Sequence, residues 1–570
     1  MRMRVPSRRR SKETPERRFG WAEALFLAVV GTSLFLNTLG FGWGMDGYVP
    51  WSADAIEGIT VVREMPRLFG EWTYKYPRLQ FLIDGLCYKP FIHSWEDDPV
   101  YVQNQGQVQG HVLTRSRLNT LATISRVNIL AMSAGTLVVV YLMARFAYAD
   151  SIAGLFASLS LAVMMVFVHY SHTSCVDIPS MLWITLGAYF LLKSVVLNRM
   201  GPHLWMGAAF ALACCTKDAM LFYAAAFAAV YVVLRVHHLR EEGLGLRACL
   251  PSLFNRNVWL ALAVFVFVFA LLQGILSSPK AYWDRMGVWV WGRGVKDFNK
   301  DFTGQAALLW GTLKQFYSAA GWPLLAMFLI SLVATFRRRG LFHLAVVLFP
   351  LMAFYVMVSM RIKMSYIRYY LPVMGLCCLP IGAFVSQLLA LRAKSLARAA
   401  IVLVGVAYGL SLMGCLALDL ELIHDSRVQA VTWFEKNVEK GTPALSLIQR
   451  IYGPKLTQAG YSVIENWEVP PLPRLLENSK SLPEVVILSD GWPNLLSKEA
   501  DQYKEALLQG KAGYSEVTEF NTLGYDDPHR SILAIASWPR LPRFETVSPR
   551  IIVMKKDVSG PGAGSLSGSH

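Results

Sequence analysis

Long apolar runs, almost free of charge, alternate with short polar connections along the first three quarters of the chain. Each run has about 17–25 residues, the length that a helix needs to cross about 30 Å of hydrocarbon. A helix is expected because a backbone in contact with lipid must satisfy its own hydrogen bonds. We therefore predict about eleven membrane spans. They are residues 21–42, 124–146, 151–169, 178–198, 204–217, 219–237, 257–277, 314–336, 341–360, 367–391 and 398–418.

The pair 204–217 and 219–237 is ambiguous, because Lys217-Asp218 could instead interrupt one longer span. The distribution of basic residues favours two spans. With the N-terminus in the cytoplasm, the segments RVHHLREEGLGLR, RRRG and LRAKSLAR all fall on the cytoplasmic side, as the positive-inside rule requires. Merging the pair would move the last two segments outside. We therefore predict that residues 43–123 and everything after 419 lie outside the cytoplasm.

The N-terminal part of the membrane region can also be interpreted from its sequence. Residues 1–20 form a basic tail that could introduce a signal peptide, but the apolar run 21–41 is long and lacks a small-residue cleavage site. We interpret that run as a retained first span with its basic tail in the cytoplasm. The first outer loop, 43–123, is rich in Trp, Tyr and Pro, which predicts short helices at the membrane interface.

The C-terminal part, 420–556, reads as a small soluble α/β domain. Apolar residues recur at helical spacing in HDSRVQAVTWFEKNVEKG, and ADQYKEALLQG is typical of a second helix. The segments PEVVILSD, SILAIAS and RIIVMKK predict strands. Residues 557–570 are rich in Gly and Ser, which predicts a disordered tail. An odd number of spans places this domain on the non-cytoplasmic side.

Composition agrees with a membrane protein, because 54% of the 570 residues are hydrophobic and the mean hydropathy is +0.37. The net charge of +16 could indicate a nucleic-acid partner. The basic residues lie mainly in short loops, without interleaved aromatics or a zinc motif, so we expect membrane lipids and no nucleic acid as partners. The eight cysteines show no metal-ligand spacing and are interpreted as small apolar residues.

The predicted topology gathers ionisable and polar residues at the outer face, where buried charges often mark a functional site. A carboxylate there could deprotonate an acceptor hydroxyl or amine. Lys and Arg could bind an anionic phosphate, and Arg can do so with two parallel hydrogen bonds. A lipid phosphate needs this arrangement at the membrane interface. The candidates are Asp46, Asp54, Glu57, Lys75, Tyr76, Arg78, His169, His172, Asp177, Lys217, Asp218, Arg361, Lys363 and Arg368.

Each candidate also has a structural alternative. Asp54 and Asp177 could cap helices, and Lys217 could simply extend its ammonium group to the interface. His169 and His172 are three residues apart, which fits ordinary hydrogen bonding better than a metal pair. The basic residues at 361, 363 and 368 could contact anionic lipids.

Five segments together resemble a known family over roughly residues 20–420. WGMDGYVPWSADAIEG and KYPRLQFLIDG resemble the first outer loop of the GT-C membrane glycosyltransferases, in the dolichyl-phosphate-mannose–protein mannosyltransferase-like and aminoarabinose-transferase-like group. Three later segments resemble the same family in order: HYSHTSCVDIPSMLWITLGAYFLL, ALACCTKDAMLFYAAA and RYYLPVMGLCCLPIGAF. Two positions depart from the family pattern. Ala55 stands where a second carboxylate is common, and Arg78 stands where a second proline is common.

The resemblance implies a GT-C-like helical fold and a glycosyltransferase that takes its sugar from a polyprenyl phosphate. It casts Asp54 as the general base that deprotonates the acceptor. Lys217, Arg361 and Arg368 would hold the lipid phosphate, and His172 and Asp177 would support the sugars. Glu57 and Tyr76 are further candidate substrate-binding residues.

The acceptor could be a protein, a lipid or a glycan, and a divalent metal is conceivable as a cofactor. The expected location is the bacterial inner membrane, with the site on the periplasmic or extracellular side. Two other hypotheses stay open at this point. A transporter or lipid flippase would fit many spans, although no internal repeat is evident. A membrane scaffold that presents the C-terminal domain would leave the charged outer cluster unexplained.

Overall fold

The computed structural model describes most of the chain as helix, with one small sheet near the C-terminus. The described residues are 20–45, 51–52, 54–70, 72, 74–95, 114–291, 298–391, 394–448, 452–465, 483–489, 498–510, 513–520, 547 and 549–557.

Nineteen α-helices occur within the described residues. In chain order they are α1 (Trp21–Thr38), α2 (Gly58–Glu64), α3 (Leu79–Trp95), α4 (Arg115–Tyr148), α5 (Ser151–Ala162), α6 (Met165–Ser171), α7 (Asp177–Leu197), α8 (Met200–Thr216), α9 (Met220–Glu241), α10 (Leu246–Leu253), α11 (Arg256–Gln273), α12 (Pro279–Trp291), α13 (Phe302–His343), α14 (Phe349–Phe354), α15 (Met360–Ile362), α16 (Leu371–Leu389), α17 (Lys394–Ile423), α18 (Ser426–Asn437) and α19 (Lys498–Leu508).

Within the described part of the chain, nine stretches are long and apolar enough to cross a membrane. This number confirms a polytopic membrane protein, and it is lower than the eleven spans predicted. The nine stretches are α1, Ser116–Tyr148, α7, α9, Leu246–Gln273, Phe302–Arg337, Arg339–Ile362, α16 and Ser395–Asn437.

The other two predicted spans are helical but differ in form. The run 151–169 becomes α5 and α6, which are bent by 64° at the break between them. The bend falls at Met164, whose backbone is extended (φ −91°, ψ 116°). Neither Gly nor Pro marks this position, so hydropathy alone predicts one straight span. The run 204–217 becomes α8, which at 17 residues is short for a full crossing.

Small residues allow neighbouring helices to approach closely. A Cβ atom added to Gly207 of α8 would lie 2.2 Å from the carbonyl oxygen of Ala261 in α11. A Cβ added to Gly382 of α16 would lie 2.1 Å from the carbonyl oxygen of Ala153 in α5. Contacts this close would force the backbones apart, so glycine at these two positions sets the helix spacing.

The first outer loop contains short helices, as predicted from its aromatic residues. Within its described part, α2 leads into a 3₁₀ turn at Met65–Arg67, and α3 follows after a bend. Arg78 joins this loop to the segment after α11, because its Nη2 donates to Gly70 O (2.7 Å) and to Ser277 Oγ (2.6 Å). The helix α4 begins at Arg115, before the predicted start at residue 124, and Thr114 caps it.

Two compact units divide the chain. One consists of Met1–Phe41 and Asp54–Leu416, and the other of Gly42–Ala53 and Ala417–His570. The sequence pattern placed residues 43–53 with the outer loop, whereas the described residues 43–45, 51 and 52 belong to the second unit.

The second unit contains a five-stranded mixed sheet in the order β2-β1-β3-β5-β4. β1, β2 and β3 run parallel, whereas β5 is antiparallel to both β3 and β4. Buried apolar residues cover both faces, with Phe434 of α18 on one face and Tyr503 of α19 on the other. The strands are β1 (Pro443–Ser446), β2 (Ser462–Glu465), β3 (Val485–Leu488), β4 (Tyr514–Phe520) and β5 (Ile551–Lys556).

This sheet bears out much of the predicted α/β pattern. The helices at 426–437 and 498–508 and the strands β3 and β5 lie in the segments that were predicted for them. The predicted strand SILAIAS lies outside the described residues. The strands β1 and β2 have four residues each, too few for a clear alternation of apolar and polar positions, and they were not predicted.

Candidate active site

Asp54 stands in a turn just before α2, and three donors surround its carboxylate. The hydroxyl of Tyr76 donates to Oδ1 over 2.5 Å, and the Lys75 ammonium lies 3.3 Å from the same oxygen. Arg368 donates from Nη1 to Oδ2 and completes an ion pair. The side chain of Asp54 remains 18% exposed, so the carboxylate is firmly held and still accessible.

Local structure positions two of these donors, Tyr76 and Arg368. The segment before α3 turns at Tyr76-Pro77, and Trp72 Nε1 donates to the carbonyl oxygen of Tyr76 over 2.7 Å. Burial raises the pKa of the Tyr76 phenol well above its usual value, so the hydroxyl keeps its proton and donates to Asp54. Arg368 lies in a 3₁₀ turn, Ile367–Tyr369, directly before α16.

A second ion pair joins Asp177 and Lys217. Asp177 is the first residue of α7, and Lys217 ends α8 in an extended conformation (φ −151°, ψ 121°). The Lys217 ammonium lies 2.6 Å from Asp177 Oδ1, and the side chains are only 5% and 1% exposed. Removing one partner from such a buried pair leaves an uncompensated charge, so we infer that the two depend on each other.

The aromatic ring of Tyr369 connects the two ion pairs. The Lys217 ammonium lies 4.9 Å from the ring centroid, and the Arg368 guanidinium lies 5.5 Å from it. Both distances fall within the range of cation–π attraction. The hydroxyl of Tyr223 in α9 donates to the Tyr369 carbonyl oxygen over 2.9 Å and so holds this turn in place. The resulting cluster contains two cations and two carboxylates around one ring.

Glu57 lies near this cluster but does not contact Asp54. It precedes α2 and accepts a long hydrogen bond from Thr60 Oγ1 (3.4 Å). Burial raises the pKa of the Glu57 carboxyl above 4.5, against the opposing effects of Thr60, Arg63 and Lys75. Burial also lowers the pKa of the Lys75 ammonium. The position of Glu57 at the start of α2 favours a supporting role for the loop that carries Asp54.

Replacing Glu57 with Gln should change how the stability of the protein depends on pH. Because the folded state raises the pKa of this carboxyl above 4.5, ionisation costs stability as pH rises through the folded pKa. Glutamine does not ionise. The thermal midpoint of Glu57→Gln should therefore equal that of wild type below pH 4.5. At higher pH it should exceed the wild-type midpoint, by a difference that first grows with pH and then becomes constant. A midpoint difference that stays the same over the whole range would contradict this role of burial.

Two further predicted site residues, His172 and Arg361, are not members of the two ion pairs. The ring of His172 is buried, with Nδ1 2.8 Å from Val168 O and Nε2 2.5 Å from Leu39 O. These contacts bind the end of α6 to the turn after α1. Arg361 lies in α15 with an exposed side chain, and it makes no ion pair or side-chain hydrogen bond to a described residue. Asp46 falls outside the described residues.

The structure also adds residues that the sequence pattern did not single out. Tyr369 was part of the motif RYYLP, but nothing in its spacing indicated that two cations would meet on its ring. Arg285 of α12 contacts Asp218 (3.3 Å), which also accepts from Gln273 Nε2 over 2.8 Å. A single arginine within the aromatic segment AYWDRMGVWVW was the only available signal for this contact.

The part of the chain that the structure describes contains no set of ligands for a divalent metal. No group of three His, Cys, Asp or Glu side chains there is close enough to hold an ion. Both oxygens of Asp54 face positively charged or hydroxyl donors, which are poor neighbours for a metal ion.

Comparisons with known proteins give one family match. Residues 119–283 match the model of a family described as dolichyl-phosphate-mannose-protein mannosyltransferase. No curated protein matches the sequence.

Three solved structures can be superposed on the chain with low sequence identity. ArnT from Cupriavidus metallidurans, bound to undecaprenyl phosphate, has 15% identity and a TM-score of 0.43 over 97% of this chain and 100% of that one. The Archaeoglobus fulgidus oligosaccharyltransferase has 10% identity and a TM-score of 0.43, over 93% and 88%. The S. cerevisiae Pmt1-Pmt2 complex has 15% identity and a TM-score of 0.34, over 45% and 33%.

The family match covers the span junctions that contain Asp177 and Lys217, and it confirms the resemblance predicted from the sequence. The protein is a membrane glycosyltransferase. Its enzyme class is that of the polyprenyl-phosphate-sugar-dependent transferases, and the transporter hypothesis is not favoured.

Proposed function

We propose that Asp54 is the general base of this transferase and that Arg368 and Lys217 bind the phosphate of the lipid-linked donor. One observation carries the proposal. The carboxylate of Asp54 contacts Arg368, and the guanidinium of Arg368 shares the ring of Tyr369 with Lys217. A proton acceptor and two cations for an anionic leaving group thus belong to one cluster, which is what transfer from a sugar phosphate requires.

Donor binding would change the partners of Arg368. A guanidinium can bind a phosphate through two parallel hydrogen bonds, so the donor phosphate would compete with Asp54 for this side chain. A carboxylate that loses an arginine partner becomes a stronger proton acceptor. Tyr76 and Lys75 would remain to orient the carboxylate. The ion pair seen here would therefore keep Asp54 a weak base until the donor is bound.

The transfer step follows from these positions. An acceptor hydroxyl or amine attacks the anomeric carbon, and its proton moves to the carboxylate of Asp54. The bond between the anomeric carbon and the phosphate oxygen breaks, and the phosphate leaves with the electron pair. Arg368 and Lys217 stabilise the negative charge that grows on this oxygen. Asp177, paired with Lys217, would keep the ammonium aimed at the phosphate.

The charge distribution supports a site on the non-cytoplasmic side. The basic segments RVHHLREEGLGLR, RRRG and LRAKSLAR favour the cytoplasm, and the loops that carry Asp54, Asp177 and Lys217 alternate with them along the chain. We propose the bacterial inner membrane as the location and its periplasmic or extracellular face as the site of transfer. The acceptor would be a protein, lipid or glycan that presents a hydroxyl or an amine there.

Purified protein in liposomes tests the enzyme and its sidedness together. A polyprenyl phosphate bearing a radiolabelled sugar is placed in the bilayer, and an acceptor extract is added. The fraction of the protein whose C-terminal domain faces outward is measured by its cleavage with an added protease. We expect label in the acceptor fraction when the acceptor is on the side of the C-terminal domain. Movement of the labelled lipid between leaflets without any transfer would instead support a flippase.

Replacing Arg368 with Gln should weaken the use of the donor. Removing a hydrogen bond between two charged groups costs about 1.5–3 kcal/mol, so kcat/KM for the donor should fall about 10- to 100-fold. Arg368→Lys should recover only part of this, because an ammonium cannot bind phosphate with a planar fork. The matched control is Arg67→Gln, which removes an exposed arginine of the outer loop. Equal effects of the two glutamine variants would refute a specific phosphate contact.

A further inference from the structure

We propose that α12 positions the two cations of the proposed phosphate site, Lys217 and Arg368, from one face of a single helix. It does so through Arg285 and Trp289, which lie four residues apart and therefore share a helix face. The inference rests on the proposed function, in which the two cations bind the donor phosphate. All of these residues belong to the same compact unit as Asp54.

The helix α12 has an inner face and an outer face. Tyr282 and Met286 are buried, and the side chain of Arg285 is only 9% exposed. Helical spacing places Trp289 on the same face as these three residues. The outer face carries the exposed residues Lys280, Trp283, Asp284, Val288 and Trp291. Residues 285 and 289 therefore face the protein and not its surroundings.

Arg285 holds the junction between α8 and α9 that carries Lys217. Its Nε lies 3.3 Å from Oδ2 of Asp218, the residue after Lys217, and its Nη2 donates to Gln273 Oε1 over 2.9 Å. Gln273 Nε2 in turn donates to Asp218 Oδ1 (2.8 Å) and to Cys214 O (3.0 Å). This network fixes the chain on both sides of Lys217, at Cys214 and at Asp218.

Trp289 holds the aromatic ring that the two cations share. Its ring centroid lies 5.5 Å from that of Tyr369, and the two ring planes meet at 82°. Aromatic pairs favour this edge-to-face arrangement. The Lys217 ammonium and the Arg368 guanidinium lie 4.9 Å and 5.5 Å from the centroid of the same Tyr369 ring. Loss of the indole ring of Trp289 would therefore allow the support of both cations to move.

The start of α12 is fixed on the outer loop that carries Tyr76. Ser278, the residue before the helix, accepts a hydrogen bond from Trp72 N over 2.7 Å, and its hydroxyl donates to Gly70 O over 3.2 Å. Trp72 Nε1 donates to the carbonyl oxygen of Tyr76, whose hydroxyl donates to Asp54. Because α12 is anchored at its start, its inner face can hold a constant position against the two cations.

This arrangement should act on phosphate binding and not on the acceptor. Lys217 and Arg368 come from different elements, so both must be ordered before they can bind one phosphate. Ordering them in advance lowers the entropic cost of binding. The same phosphate is present in the donor and in the polyprenyl phosphate that is released after transfer. Loss of the contacts of α12 should therefore weaken the binding of both molecules to the same degree.

Two changes test the inference in the full-length protein in liposomes. Trp289→Leu removes the edge-to-face contact, and Trp289→Phe restores an aromatic ring. The double variant Asp218→Asn, Arg285→Met removes the link between α12 and residue 218 without leaving a buried charge unpaired. The matched controls are Trp283→Leu and Lys280→Gln, which replace an exposed tryptophan and an exposed cation on the outer face of the same helix.

Four quantities are measured for each variant: the donor KM, the acceptor KM, the inhibition constant of free polyprenyl phosphate and the thermal midpoint. We expect Trp289→Leu and the double variant to raise the donor KM and the inhibition constant together, each by about tenfold. The acceptor KM should stay within about twofold of wild type. Trp289→Phe should keep most of the affinity for both molecules, and the two controls should keep all of it.

Three results would overturn the inference and leave the proposed function intact. The first is wild-type affinity for polyprenyl phosphate in folded Trp289→Leu and in the folded double variant. The second is an equal loss of affinity in the outer-face controls, and the third is an equal rise in the acceptor KM. If the double variant does not fold, the contrast between Trp289→Leu and Trp283→Leu decides.

Arg368→Gln, measured in the same assay, separates failure of the inference from failure of the proposed function. A lower affinity for polyprenyl phosphate in Arg368→Gln, with wild-type affinity in the variants of α12, would refute only the role of α12. Wild-type affinity in Arg368→Gln would refute the proposed phosphate site itself, and with it the inference.

Discussion

Replacing Asp54 with Asn should lower the rate of sugar transfer by about 10²–10⁴-fold, the usual contribution of a general base. The amide has almost the same shape as the carboxylate and can still accept a hydrogen bond from Tyr76. It carries no charge, however, and so no longer competes with the donor phosphate for Arg368. Donor binding should therefore be unchanged or tighter. Single-turnover transfer and equilibrium binding of the labelled donor measure the two effects separately.

The matched control for this variant is Asp284→Asn, which removes an exposed carboxylate from α12 without touching the cluster. It should keep the wild-type rate and the wild-type affinity for the donor. Full activity of Asp54→Asn would remove Asp54 as the base. Loss of donor binding together with activity would show instead that the carboxylate supports the site structurally.

Breaking the pair of Asp177 and Lys217 should have the largest effect on stability. A lone Lys217→Met leaves the Asp177 carboxylate buried without its partner, and such changes cost about 3–5 kcal/mol. The double variant Asp177→Asn, Lys217→Met removes both charges and should recover most of that loss. Transfer should remain low in the double variant, because the cation that stabilises the leaving phosphate is still missing. Thermal unfolding and the transfer assay separate the two roles.

This comparison is a double-mutant cycle, in which the two residues act as a unit if their effects are not additive. A double variant that regains both stability and transfer would make the pair purely structural. Additive losses of stability would mean that the two charges do not depend on each other. The pair Arg550 and Glu519, which is partly exposed on the sheet, serves as a reference and should cost at most about 1 kcal/mol when broken.

The membrane region could be predicted well from the sequence because the hydrocarbon imposes both length and composition on a span. All eleven apolar runs became helices. The observed helices differ from the predicted spans in two respects, a bend and a short length. The bend at Met164 has no proline or glycine to mark it, and the shortness of α8 was visible in its run of 14 residues (204–217). Tertiary packing decides the bend, and hydropathy does not report it.

The candidate site was less predictable, because its contacts join distant parts of the chain. Topology placed Asp54 and Arg368 on the same face, but their ion pair spans 314 positions of sequence. The pairing of Asp177 with Lys217 likewise depends on how α7 meets α8. His172 was chosen for its place in a familiar motif, and substrate contact by this residue stays a prediction. In the structure its ring nitrogens lie near the backbone carbonyls of Val168 and Leu39.

Residues 43–53 show a further limit of sequence patterns. Their tryptophans and glycines are typical of an interfacial loop, and they were assigned to the outer loop for that reason. Trp43 and Trp51 belong instead to the C-terminal unit, where their rings lie against the guanidinium of Arg427. No local periodicity reports a partner that lies 376 positions away (427 minus 51).

A structure of the protein in a lipid bilayer with polyprenyl phosphate bound tests the central claim most directly. The account predicts that the phosphate contacts the guanidinium of Arg368 and the ammonium of Lys217, and that Asp54 is released from Arg368 while keeping its hydrogen bond from Tyr76. A phosphate bound away from Arg368, with the ion pair between Asp54 and Arg368 intact, would contradict it.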